Sequence, residues 1–107
     1  MADTKKKPTA AEVTPPMIAE WKEKFGSVFL YKSEDGKVAY FKKPDRQIVD
    51  ASSSLAKDHP VKSNELLAKS CFLGGDEEVI SVDEYFFGLN SWLKDLIKTK
   101  LGELQEL

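Results

Sequence analysis

Few residues in this sequence are equipped for chemistry. There is one histidine, His59, and one cysteine, Cys71. Neither has the companions that a four-coordinate zinc shell draws from several Cys and His side chains. Cys71 cannot form a disulfide within the chain. It falls on the apolar side of an expected helix with no basic neighbour to stabilise a thiolate, so it reads as a small buried hydrophobe. His59 lies between Asp58 and Pro60 in an expected turn, with no nucleophile at a recognisable spacing for it to activate. The densest acidic stretch is Gly74-Gly75-Asp76-Glu77-Glu78, followed closely by Asp83 and Glu84. These carboxylates suit a hard cation in type, but EF-hand spacing is missing, and Asp83 and Glu84 fit a helix N-terminus, where negative charge is favoured.

The Gly74–Glu78 stretch also differs only at its last place from the signature loop of diguanylate cyclases. There the loop joins two strands of a domain longer than this whole chain; here it is expected to follow a helix, the wrong context for that chemistry. The stretch therefore reads as a helix C-cap followed by a solvated acidic turn. No catalytic, cofactor-binding or metal-ligating residue is assigned, and an enzyme is the least favoured class.

Composition points the same way. The 107 residues are 41% hydrophobic and 32% charged, with a mean hydropathy of −0.40, as for one small soluble domain with a charged surface. Lysine and arginine number 16 against 18 aspartate and glutamate, a formal net charge of −2. Duplex-binding proteins usually carry a basic excess, so nucleic acid is not the expected partner, although Lys5-Lys6-Lys7 is the obvious place for it. No apolar run approaches the roughly 18 to 20 residues of a membrane span, and no apolar h-region follows the Lys-rich start; a cytoplasmic protein is expected.

The elements that must position any site are legible from spacing. Residues 1–14 have little to bury and are expected to be a disordered basic arm, residues 15–102 a single α+β domain, and 103–107 a short tail. Thr14 before Pro15-Pro16 starts a helix on which Met17, Trp21 and Phe25 form an apolar stripe, with Trp21 expected in the core and Gly26 as the stop. Val28–Tyr31 and Val38–Phe41 flank Asp35-Gly36, a hairpin signal pointing to a tight primed turn. Asp45 begins a helix to about Lys57, loosened by Ser52-Ser53-Ser54. Another runs from about Val61 to Leu73 and ends at Gly74-Gly75. Ser81 and Glu84 have capping-box spacing, with Ile80 and Tyr85 placed for its hydrophobic staple. From there the last and longest helix is expected to reach about Lys100, carrying Tyr85, Leu89, Trp92, Leu93, Leu96 and Ile97 on one stripe. The expected architecture is α+β: an N-terminal helix, an antiparallel β-hairpin, then three helices packed on one face.

Several segments together carry a family resemblance. They are Trp21–Gly26 (WKEKFG), Ala39–Arg46 (AYFKKPDR), Cys71–Glu77 (CFLGGDE) and Lys100–Leu107 (KLGELQEL). In this order the chain resembles small phage tail assembly chaperones of tailed phages and prophages, across about residues 17–107. The resemblance implies a non-enzymatic factor in the host cytoplasm that binds the tape measure protein, keeps its apolar helical segments soluble and helps recruit the tail tube protein. It also implies a capacity to self-associate. A small structural virion protein, or a generic protein-binding adaptor, is the alternative.

Such a role calls for apolar contact surface, and the aromatic residues are its candidates. The expected partner-binding set is Phe29, Tyr31, Tyr40, Phe41, Phe86 and Phe87. Adjacent residues cannot share one side of a helix, so one of Phe86 and Phe87 must leave the core stripe; Phe87 is the one expected to do so.

Overall fold

Proline in a first helical turn costs no hydrogen bond, because the N–H it lacks would have no partner there. The computed structural model, which describes residues 7–97 and 102–107, begins helix α1 (Pro15–Phe25) on this signal. Thr14 Oγ1 accepts from the Met17 N–H at 3.4 Å, and Gly26, at φ 89°, closes the helix by donating to the Lys22 carbonyl. Strands β1 (Val28–Lys32) and β2 (Val38–Lys42) follow as an antiparallel hairpin that pairs Leu30 with Tyr40. Its connection is not the expected tight primed turn. The Ser33 N–H donates to Lys37 O at 2.8 Å and the Gly36 N–H to Ser33 O at 3.1 Å, which leaves Glu34, Asp35 and Gly36 as the loop. Gly36 takes the positive φ, 98°, that such a loop needs at its end.

Helix α2 (Arg46–Ala56) starts where expected, with the Asp45 carboxylate accepting from the Ile48 N–H at 2.9 Å. Helix α3 (Pro60–Cys71) packs against it through small residues. Ser52 and Ser63 are both buried, and the Ser63 hydroxyl donates to the Ser52 carbonyl at 2.6 Å.

After Cys71 the chain departs from expectation. Phe72 turns to φ −65°, ψ 124°, and Phe72–Gly75 becomes strand β3, antiparallel to β2, so the hairpin grows into a sheet of order β1-β2-β3. Gly74-Gly75 is therefore not a helix cap. A Cβ on Gly75 would stand 2.5 Å from Val38 O, and one on Gly74 would stand 2.8 Å from Pro8 Cγ; glycine is what lets the backbones meet.

Helix α4 (Glu78–Ser81) and helix α5 (Asp83–Asn90) come next, then a 3-10 turn, Leu93–Leu96. The expected capping box does not form: Ser81 ends α4, and Val82 holds the N-cap position of α5 with no side-chain bond. Nor is the last helix the longest, since α5 has 8 residues against 12 in α3. Gly88, Asn90 and Ser91 have low helix propensity, and the Ser91 hydroxyl donates back to Gly88 O at 3.1 Å, a local alternative to continuing the helix. Residues 98–101, which the expected helix would have included, lie outside the described residues, and Leu104 and Leu107 beyond them are fully exposed.

The two faces of the sheet are covered differently. Trp21 of α1 is half-buried and meets Tyr40 with ring centroids 5.8 Å apart, while Lys42 places its ammonium 4.8 Å from the Phe25 ring centre. The opposite face carries Ala39 and Phe41 into a core with Leu67, Cys71, Val79 and Phe86, extended by Leu89, Leu93 and Leu96. Burial of Phe41 alone is worth about 2–3 kcal/mol. The expected arm meets the domain from Lys7 onward: Pro8 O accepts from the Gly75 N–H at 2.9 Å, and a 3-10 turn, Ala10–Glu12, follows. Residues 1–6 of that arm lie outside the described residues. Among the described residues no helix is long and apolar enough to cross a membrane.

Candidate functional site

The acidic loop that invites a catalytic reading is occupied with holding the sheet together. The Asp76 carboxylate accepts from the Val38 N–H at 2.9 Å, and the Asp76 N–H donates to Val38 O at 2.7 Å, so this residue clamps the start of β2 from both sides. Among the described residues no group of three or more His, Cys, Asp or Glu is placed to hold a metal ion. His59 is exposed at the start of α3 and makes no side-chain cap bond. Cys71 is fully buried, and loss of water around it pushes the thiol up to about 11, the opposite of an activated nucleophile.

The expected aromatic contact set does not form one surface. Phe41 and Phe86 are core residues, 1% and 5% exposed, and are corrected from contact candidates to scaffold. Strand alternation explains Phe41: it shares a face with Phe29, its cross-strand partner, and with Ala39, the face that receives α3 and α5. Phe86 lies on the buried side of α5 for the reason that Phe87 does not, and Phe87 stands 60% exposed. Tyr40 is on the other face of the sheet beneath Trp21. Phe29 and Tyr31 are half-buried against the core edge.

Two surface concavities collect the apolar groups that remain. One, of about 230 Å³, opens between β1 and the 3-10 turn, where Phe29, Leu30 and Tyr31 face Trp92 and Leu96. Leu30 and Trp92 are each 59% exposed. The other, of about 1400 Å³, is bounded by α3, the α4–α5 corner and the Lys7–Glu12 segment, and includes Phe87.

No family model, curated protein or solved structure matches the chain.

Leu30, Val61 and Trp92 were not in the expected contact set, yet all three are more than half exposed. Helical spacing from Leu89 and Leu96 places Trp92 on the expected core stripe. The helix stops at Asn90, and the turn that follows buries Leu93 and Leu96 while turning the indole outward. The available signal was the Asn90-Ser91 pair, a poor helix interior.

Proposed function

We propose that this protein is a non-enzymatic phage tail assembly chaperone, which holds apolar helical segments of a tape measure protein in the host cytoplasm and presents them for assembly with tail tube subunits. The observation that carries the reading is the outward placement of Phe87 and Trp92, 60% and 59% exposed, from a segment whose Phe86, Leu89, Leu93 and Leu96 are all buried. A small domain has little apolar surface to spare from its core, and two large aromatic side chains facing water from one short segment suit the capture of another chain. The sequence resemblance supplies the identity of that chain.

Co-expression with the tape measure protein from the same gene neighbourhood tests the reading. A soluble complex that co-elutes, together with absence of this chain from purified particles by mass spectrometry, is the expected result. Stoichiometric presence in finished particles would instead make it a structural virion protein.

A further inference from the structure

The groove beside Phe87 has an apolar floor and an acidic rim. Phe72 and Phe86 are buried at its base, Ile80 is half-buried, and Val61 and Phe87 rise from it 54% and 60% exposed. Around them stand Glu12, Glu65, Asp76, Glu77, Glu78 and Asp83, against two lysines, Lys7 and Lys69. Both lysines are engaged. Lys69 pairs with Glu65 at 3.3 Å, and Lys7 donates to the Phe72 carbonyl at 2.8 Å with its ammonium 5.6 Å from the Phe72 ring centre. Among the described residues Glu77 and Asp83 have no cation within ion-pair distance, and Glu78 has only Lys37 at 3.9 Å.

Lys7 already places an ammonium over the aromatic floor, with burial and Lys42 opposing its charge and Glu77 favouring it. We propose that the groove docks a basic amphipathic α-helix of a partner protein, its apolar ridge on Val61, Ile80 and Phe87 and its Lys or Arg side chains toward Glu77, Glu78 and Asp83. A helix of about three turns, about 16 Å long at about 1.5 Å per residue, sets three or four ridge residues along one face. The acidic rim repels nucleic acid and acidic helices, and it gives the groove a preference that apolar contact alone cannot. The inference deepens the proposed function by giving the captured helix a charge, and it rests on that reading only for the partner's being helical.

The test uses the full chain and two labelled synthetic peptides of about three helical turns, each with the same leucine ridge, one flanked by lysines and one by glutamates. Fluorescence anisotropy should show the lysine peptide binding at least about ten-fold tighter, with the gap narrowing as salt screens the rim. Phe87→Ala should weaken the lysine peptide about ten-fold. Glu77→Lys with Asp83→Lys, both at exposed positions, should reverse the preference and keeps the proposal testable should Phe87→Ala disturb folding. Equal affinity for the two peptides, or binding of neither by a folded chain, overturns the proposal. So does self-association that Phe87→Ala abolishes, since a second copy would then be the occupant. Capture of the tape measure protein without a lysine preference leaves the proposed function standing and rejects this inference; a lysine preference without capture does the reverse.

Discussion

The Tyr85 hydroxyl donates to the Asp35 carboxylate, tying the tip of the hairpin to the first turn of α5 across 50 residues of sequence. The same carboxylate accepts from the Ser33 hydroxyl at 2.6 Å, and Ser33 Oγ in turn accepts from the Lys37 N–H at 2.9 Å, so the loop is braced before Tyr85 reaches it.

The bond makes stability depend on pH at both ends of the scale. The Ser33 hydroxyl first, and Tyr85 second, hold the Asp35 carboxyl below its ordinary value. Its contribution is therefore present above the ordinary carboxylate pKa, about 4, and is lost as pH falls through the depressed folded value. Tyr85 is pushed up to about 12, chiefly by its bond to Asp35. That contribution is present below about pH 10, where the unfolded phenol ionises, and is lost as pH rises through the folded value. Tyr85→Phe should lower the melting temperature slightly at neutral pH and flatten the fall in stability above pH 10. Asp35→Asn should return the Tyr85 phenol toward its ordinary range in an ultraviolet titration. Asp35 is exposed and Tyr85 only half-buried, so solvent keeps the effects small.

Gly75 and Gly74 should respond differently to one added methyl group. Gly75 has φ 120°, and its Cβ would meet Val38 O at 2.5 Å and Ala39 Cα at 2.7 Å, both backbone atoms at the centre of the sheet. Gly75→Ala should cost about 2–4 kcal/mol in urea denaturation, from strain and lost pairing together. At Gly74 the nearest atoms belong to Pro8, at 2.8 and 3.0 Å, in a segment that lies over the sheet edge. Gly74→Ala should displace that segment with a smaller loss of stability, seen as faster cleavage after Glu12 by a glutamate-specific protease.

Cys71 is a sensor of the core. With its thiol buried and held at about 11, it should react with a disulfide reagent only as the domain opens, at a rate that follows added denaturant. The raised value stabilises the fold below the unfolded thiol's range, about 8.5, and this is lost as pH climbs through 11. Cys71→Ala should remove that part of the alkaline destabilisation; fast labelling of the folded chain would contradict the burial.

Local signals were legible where one side chain serves its own turn. Thr14, Asp45 and Gly26 cap helices through contacts within four residues, and each was readable from residue type alone. Strand β3 was not, because Phe-Leu-Gly-Gly has little strand propensity and becomes a strand only by pairing with β2, more than thirty positions earlier. The capping pattern shows the same limit. Ser81-x-x-Glu84 and Thr9-x-x-Glu12 have identical spacing, yet the second is the one used, with the Thr9 N–H donating to the Glu12 carboxylate at 2.9 Å. Ser81 is withheld by α4, whose last residue it is and whose Val79 is fully buried. For the contact set, alternation already placed Tyr40 and Phe41 on opposite faces of β2; which face would be sealed depended on where α3, α5 and the turn after Asn90 came to rest.

Ser63 closes the contact between α2 and α3, and the interface depends on its size as well as its hydroxyl. Ile48 and Leu55 of α2 are only half-buried, so little apolar area holds this helix, and the 2.6 Å bond from Ser63 to the Ser52 carbonyl lies where water does not compete. Ser63→Ala should cost about 1–2 kcal/mol, the loss of one buried hydrogen bond. Ser63→Leu should cost more, because the added carbons must push α2 away from α3. Hydrogen exchange separates the two effects. The alanine variant should raise exchange across the whole domain in proportion to its lost stability, whereas the leucine variant should release residues 46–56 first while β2 and the Cys71 region stay protected. Uniform exchange in both variants would show that α2 unfolds only with the core.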